Sequence, residues 1–163
     1  MKKKIVVILL AFALAGVGIY GANLATEAAG RTAGTEVKEK GIDVPYESLL
    51  TEDALIGECR QISRGYYLQA GQSVINKQAS NKIGAGGVTN AAVFCKVTVT
   101  PIVERLVGGS WVVVTSWSVS KESALSVMAS KVLTVGTGYS YRVRSLHYAS
   151  TDASSSWTNA LSM

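Results

Sequence analysis

The sequence predicts an all-β fold, a small antiparallel β-sandwich, from two observations. From Ile62 onward, apolar and polar residues alternate with a period of two, and β-branched and aromatic residues dominate. Turn residues interrupt this pattern about every 8–12 residues, which is typical of β-sandwiches and small barrels. The chain has 163 residues, of which 48% are hydrophobic and 17% charged, so it suits one domain with a packed core.

Residues 1–28 are predicted to form a signal peptide. Three lysines at positions 2–4 precede an apolar run from Ile5 to Ile19, which is shorter than the roughly 20 residues of a membrane span. Cleavage is expected after Ala28, with cleavage after Ala25 or an uncleaved anchor as alternatives. We therefore expect a secreted, extracellular protein that could stay associated with the cell envelope. It would contact a membrane only through this segment, if uncleaved.

Residues 29–57 are expected to be a flexible acidic spacer or propeptide, with one short helix within 46–56. This segment holds six acidic and three basic residues, whereas residues 58–163 hold ten basic and four acidic ones. Such asymmetry can reflect an intramolecular cover, a partner of opposite charge, or two solvated surfaces that differ by chance. The folded β-sandwich domain is accordingly predicted to span residues 58–163.

Cys59 and Cys95 are the only cysteines, and they form an even pair in a chain that is predicted to be exported. That context favours a disulfide between them, and two buried thiols are the alternative. No CxxC spacing occurs and His147 is the only histidine, so no metal site is predicted.

Individual strands and one hairpin can be assigned within the β-rich region. Residues 93–100 alternate as a half-buried strand, and Pro101 should mark an edge, a bulge or a break, because proline cannot donate to a ladder. Residues 107–110 are typical of a hairpin turn with glycines at its centre. In the last clear strand, Tyr139, Tyr141 and Val143 lie on one face, with Arg142 and Arg144 on the other.

The segment Leu133-Thr-Val-Gly136-Thr-Gly-Tyr139-Ser-Tyr141-Arg-Val143-Arg resembles the E–F corner of fibronectin type III domains. The resemblance covers roughly residues 85–163, and it implies a fibronectin type III-like or immunoglobulin-like sandwich. It also implies that the Tyr139 hydroxyl bonds back to the corner backbone. The sequence departs from the family in having Val135 where proline is usual. These domains bind, space or scaffold, so the resemblance implies no chemistry.

As a whole, the chain also resembles an uncharacterised family of small exported proteins of Gram-positive bacteria. This resemblance supplies no activity. The phrases that carry it are Gly65-Tyr-Tyr-Leu, Ile83-Gly-Ala-Gly-Gly, Val103-Glu-Arg, Gly109-Ser-Trp-Val and Arg144-Ser-Leu-His-Tyr.

The sequence contains no signature of catalysis or of a cofactor. His147, Asp152 and a serine could compose a hydrolase triad, but no serine lies in a nucleophile elbow. Residues 84–87 (Gly-Ala-Gly-Gly) superficially suggest a phosphate-binding loop, but no helix pattern follows, and a turn of the sandwich is the preferred interpretation. Four carboxylates in residues 58–163 are few for glycoside hydrolysis. We therefore predict no enzyme and no cofactor.

Arginines and aromatic residues are the candidate ligand-binding residues. Arg142 and Arg144 share one strand face, which Lys96 could extend if its strand is a neighbour. Tyr148 and Trp157 flank a polar segment, residues 149–156, where exposed rings could stack on a sugar. An ordinary solvated face and core packing are the competing interpretations.

These observations favour a noncatalytic binding module outside the cell or in its envelope. The expected partner is an envelope or host glycan, an anionic wall polymer or a protein, and nucleic acid is not expected. The alternative is a secreted antagonistic peptide or toxin released from the acidic leader near Gly57.

Overall fold

Nine antiparallel β-strands and one 3-10 helix make up the part of the chain that the computed structural model describes, residues 41–60 and 65–163. This architecture confirms the all-β prediction. The predicted signal peptide and residues 29–40 of the predicted spacer lie outside the described residues. The elements are β1 (Ile42–Asp43), the 3-10 helix (Tyr46–Leu49), β2 (Leu55–Arg60), β3 (Leu68–Ala79), β4 (Lys82–Val107), β5 (Ser110–Ser116), β6 (Val119–Thr134), β7 (Ser140–Ala149), β8 (Asp152–Trp157) and β9 (Leu161–Ser162).

The long strand β4 organises the sheet into two layers. Its first half pairs with β3 and its second half with β7, while β6 and then β5 run along its other side. Layer 1 contains β1, β2, β3, the first half of β4 and the second half of β6. Layer 2 contains β5, β7, β8, β9, the second half of β4 and the first half of β6. Contacts of β3 with β7 and β8, which are not its sheet partners, show that the two layers face each other.

The core lies between the layers, and the alternation predicted for β7 is confirmed there. Tyr141, Val143, Ser145, His147 and Ala149 are buried, while the residues between them point to the other face. Apolar residues from β3, β4 and β6 complete the interior, among them Ile75, Ile83, Val97, Val99, Val103, Val127 and Leu133.

The predicted hairpin is confirmed, with β4 and β5 joined through Gly108 and Gly109. Their φ angles of +57° and +83° lie in the left-handed region that glycine tolerates. Pro101, in contrast, interrupts nothing in its own strand, because β4 continues through it. The interruption falls instead in the segment that runs beside Pro101, where β5 ends and β6 begins. There the Trp117 N–H donates to the Pro101 carbonyl at 3.2 Å.

Residues 41–57 belong to the folded domain and are not a flexible spacer. Tyr46 and Leu49 are buried against Val74 and Val88 on the outer side of layer 1. β1 pairs with β6, and β2 pairs with β3. The domain boundary predicted after Gly57 therefore falls inside β2, and the helix covers only Tyr46–Leu49 rather than 46–56. The segment has the composition of a spacer because its acidic residues are exposed and its few apolar side chains supply the packing.

The glycines of residues 84–87 lie within β4 and form neither a loop nor a turn. A Cβ atom at Gly84 would overlap atoms of both Leu49 and Asn76, and one at Gly87 would lie 2.5 Å from Ser145 Oγ. These glycines therefore let the 3-10 helix and β7 approach the strand closely, which accounts for them without a ligand.

The predicted disulfide is absent, because Cys59 and Cys95 are both free. Cys59 lies opposite Gly71 on β3, and Gly71 lies opposite Thr89 on β4. Two strand spacings, about 10 Å in total, therefore separate Cys59 from β4. The Cα atoms of a disulfide are rarely more than about 7 Å apart.

The corner hydrogen bond expected of Tyr139 comes from Tyr141. The Tyr141 hydroxyl donates to the Gly136 carbonyl at 2.9 Å, whereas Tyr139 is exposed and lies against the Arg105 guanidinium. Tyr141 takes this role because its position on β7 points between the layers.

Candidate binding face

All four residues predicted to bind a ligand lie on one surface, the outer side of layer 2, which we call the layer-2 face. Arg142, Arg144 and Tyr148 alternate on β7, and Trp157 of β8 lies directly opposite Arg144. Directly paired residues of antiparallel strands project to the same side of a sheet, so the four side chains share this face. The structure therefore places Tyr148 and Trp157 on the same face as the two arginines, which the sequence had assigned to one strand face by themselves.

The two arginines are held by Glu104, a partner that sequence reasoning missed. Arg142 Nε donates to Glu104 Oε2 at 2.6 Å, and Arg144 Nε donates to Glu104 Oε1 at 3.2 Å. The Arg142 guanidinium also stacks over Trp111, 4.3 Å from the ring centroid. Glu104 is only 5% exposed, and the two charge-assisted hydrogen bonds offset its loss of hydration.

This Arg–Glu cluster, Glu104 with Arg142 and Arg144, carries one net positive charge. It is less cationic than the stripe expected from the sequence, and both arginine side chains are held by hydrogen bonds to Glu104. Glu104 lies directly opposite Arg142 in the β4–β7 register, so the partner could be found only once the strand neighbours were known.

Tyr148 and Trp157 are exposed by 41% and 58% and stand at opposite ends of the β7–β8 hairpin. The polar segment between them is mostly strand β8, and the turn contains only Ser150 and Thr151. Four residues along β7 separate Tyr148 from the position opposite Trp157, which corresponds to about 14 Å. The two rings cannot stack on one sugar, but they can contact separate units of an extended ligand.

Side-chain hydroxyls line the layer-2 face beside Tyr148. Thr98 Oγ1 lies 2.7 Å from Ser120 Oγ, and Thr100 Oγ1 donates to Ser118 Oγ at 2.9 Å. Lys96 lies on β4, which pairs with β7, so the condition for extending the row of arginines is met. Its ammonium group, however, pairs with Glu122 at 2.8 Å, next to the β7–β8 turn and away from the Arg–Glu cluster.

His147 is buried between the layers, on the side of β7 opposite to the layer-2 face. Its Nδ1 atom lies 2.8 Å from Thr89 Oγ1, and its Nε2 atom lies 2.8 Å from Ser156 Oγ. Burial lowers the pKa of His147 to about 4, so the ring is neutral at pH 7. Asp152 does not contact this histidine, because its carboxylate accepts hydrogen bonds from the Tyr67 and Leu68 amides.

A chain of hydroxyls extends this buried network toward β3. Ser73 Oγ lies 2.8 Å from both Ser156 Oγ and Ser145 Oγ. The imidazole supplies one donor and one acceptor, which suits a line of hydroxyl groups that each carry one proton. The arrangement satisfies polar groups inside the sandwich, and a solvent-borne substrate has no access to a ring that is 0% exposed.

A cavity lies at the edge where β1 meets β6. It has a volume of about 320 Å³ and is lined by residues that include Asp43, Tyr46, Trp117, Met128 and Ser130. Asp43 forms an ion pair with Lys131 at 2.5 Å. Burial, together with Glu47 and Glu58, raises the pKa of the Tyr46 hydroxyl to about 12, so this group stays a neutral donor. The cavity lies apart from the four predicted ligand residues.

Within residues 41–60 and 65–163, no three histidine, cysteine, aspartate or glutamate residues converge in a way that could hold a metal ion. The same part of the chain contains no helix that is long and apolar enough to cross a bilayer.

Comparison of the chain with protein-family models, with curated proteins and with solved structures finds no match in any of the three. A proposal about the function of this protein therefore has to rest on the chemistry of the layer-2 face.

Proposed function

We propose that this protein is a noncatalytic, secreted binding module of the cell envelope, and that its layer-2 face binds an extended anionic wall polymer or glycan. One observation carries the proposal: the exposed Trp157 ring lies beside Arg144, and Tyr148 follows on the same face about 14 Å away. Export itself rests on the amino-terminal pattern of three lysines and an apolar run.

The chemistry of the face suits such a ligand. Exposed aromatic rings present flat apolar surfaces to sugar rings, and the hydroxyls beside Tyr148 can exchange hydrogen bonds. The arginine Nε atoms are committed to Glu104, so their terminal nitrogens are the donors that remain for carboxylate or phosphate groups. Because Glu104 holds both side chains in place, little side-chain entropy would be lost on binding.

The first test is co-sedimentation of the protein with purified Gram-positive cell walls, before and after their anionic polymers are removed. We expect binding that decreases after stripping and with added salt, because charge attraction at an exposed face is screened. Binding that persists unchanged through both treatments would instead indicate recognition by ring stacking alone. A folded protein that does not sediment with either preparation would contradict the proposal.

Variants of the face make this test specific. Trp157→Ala and Arg144→Gln should each weaken sedimentation with intact walls. Tyr66→Ala is the matched control for loss of an exposed ring, because Tyr66 is 67% exposed and precedes β3 of layer 1. Lys82→Gln is the matched control for loss of one exposed positive charge, since Lys82 begins β4 in layer 1. Equal loss of binding in the controls would remove the face from consideration.

The toxin alternative gains no support from the arrangement of residues 41–57. Gly57 is buried inside β2, and its Cα approaches the backbone of Trp157 so closely that a Cβ atom would overlap it. Cleavage near Gly57 would also remove Tyr46 and Leu49 from the layer that they cover.

A further inference from the structure

The edge strand β5 has the sequence of a strand from the middle of a sheet. We propose that β5 pairs with β5 of a second copy of this chain, so that the protein is a two-fold symmetric dimer. Among the described residues, β5 pairs only with β4, so its other edge is open. The inference is independent of which ligand the layer-2 face binds.

The apolar residues of β5 point to both sides of the sheet. Val112 is 48% exposed and Val113 is 54% exposed, and consecutive strand residues lie on opposite faces. A strand that covers a core on one side needs apolar residues on that side only. The continuous run Trp111-Val-Val-Val is typical of strands whose side chains are covered on both faces of the sheet. A neighbouring strand at the open edge would shield side chains on both faces at once, because cross-strand pairs form on each side of a sheet.

The open edge also lacks the features that usually prevent pairing. Natural edge strands carry lysine, other inward charges or proline, but no charged residue and no proline occurs from Leu106 to Ser120. One protective feature is present: a register shift in the β4–β5 pairing leaves Val114 as a bulge. The bulge limits the proposed pairing to Ser110–Val113, and the glycine turn bounds it at the other end.

The hairpin restricts the register of the pairing. In a two-residue hairpin, the residues that flank the loop, Val107 and Ser110, form a hydrogen-bonded pair, and such pairs alternate along the strands. Val112 therefore directs its backbone groups to β4, whereas Trp111 and Val113 direct theirs outward. Of the registers that this allows, we propose the one centred on Val112, in which a two-fold axis perpendicular to the sheet pairs Trp111 with Val113 of the second copy. It also places Val112 opposite its own symmetry mate.

This geometry joins the second layers of both copies into one sheet. The axis is perpendicular to the sheet, so both layer-2 faces remain on the same side. A polymer could then contact both faces at once, which raises avidity without any new contact.

Charge substitution at the symmetry axis tests the dimer directly. Sedimentation velocity of the protein produced from the full-length sequence should show a dimer. Val112→Lys and Val112→Glu should each give a monomer, because like charges would face each other at about 4.5 Å between Cα atoms. An equimolar mixture of the two variants should restore the dimer, because opposite charges then meet at the axis.

Two control variants distinguish the β5 edge from the rest of the protein surface. Phe94→Lys introduces the same charge at an exposed apolar site away from β5 and should leave the dimer intact. Ile56→Lys introduces the same charge on β2, the strand at the end of the sheet order β1-β6-β4-β3-β2, and should also leave the dimer intact. A monomeric native protein, or a dimer that persists in Val112→Lys, would overturn the proposal. So would a dimer that only Ile56→Lys dissociates. If Val112→Lys fails to fold, Val113→Pro, which removes an outward N–H that β4 does not use, should show the same loss of dimer.

Discussion

Acidification should destabilise this protein through one buried side chain, His147. The folded state holds the ring neutral and lowers its pKa from 6.5 to about 4 by burial, whereas the unfolded chain exposes it. Between these two values the unfolded state binds one more proton than the folded state, so the free energy of unfolding falls as the pH falls. At about 1.4 kcal/mol per pKa unit, the loss approaches 3 kcal/mol near pH 4. Above pH 6.5 the ring is neutral in both the folded and the unfolded state, so the free energy of unfolding is not reduced by His147.

The assay is denaturant unfolding at a series of pH values from 7 to 4. His147 is the only histidine, so no other imidazole titrates in this window. The pKa of Asp152 is lowered by the hydrogen bonds from Leu68 and Tyr67, so its own contribution is lost only at lower pH. A His147→Gln variant should be less stable at pH 7 and lose less stability on acidification. Native stability that is constant from pH 6.5 to 4.5, or a His147 pKa near 6.5 in the folded protein, would refute the reasoning.

Three further predictions follow from packing and pairing. Leu49→Ala should destabilise the fold by about 3 kcal/mol in thermal or denaturant unfolding, because it leaves a cavity at a fully buried position. Unchanged stability would mean that residues 41–57 act as a spacer and do not contribute to the folded domain. Replacing both Arg142 and Arg144 by alanine should lower the free energy of unfolding by about 3–5 kcal/mol, because Glu104 would be left buried and unpaired. Adding Glu104→Gln to this double variant should recover much of the lost stability. Alkylation of the unfolded, unreduced protein should label both cysteines, and a mass that shows no label would reveal a bridge.

The local features of the fold could be predicted from the sequence. Alternation along β7 correctly separated the inward Tyr141 and Val143 from the outward Arg142 and Arg144. The pair Gly108-Gly109 correctly marked a tight hairpin, because a two-residue turn needs positive φ angles. These signals are short-range: the side-chain period and the turn conformation depend on residues that are close in the chain.

The candidate site could be predicted only in part. The sequence pointed to Arg142, Arg144, Tyr148 and Trp157, but it indicated an unpaired cationic stripe for the arginines. Glu104 lies about forty residues away from them, and only the β4–β7 register places it between them. The same applies to His147, whose burial comes from contacts with residues of β4 and β8.

By itself, therefore, the sequence determined the all-β fold, the hairpin and the face on which most side chains lie. Those features follow from backbone geometry, which repeats every two residues in a strand. Only the tertiary structure decided that residues 41–57 cover layer 1, that Glu104 neutralises an arginine, that the cysteines stay apart and that β5 is an open edge. Each of these depends on which distant strands become neighbours, and a period of two carries no information about that choice.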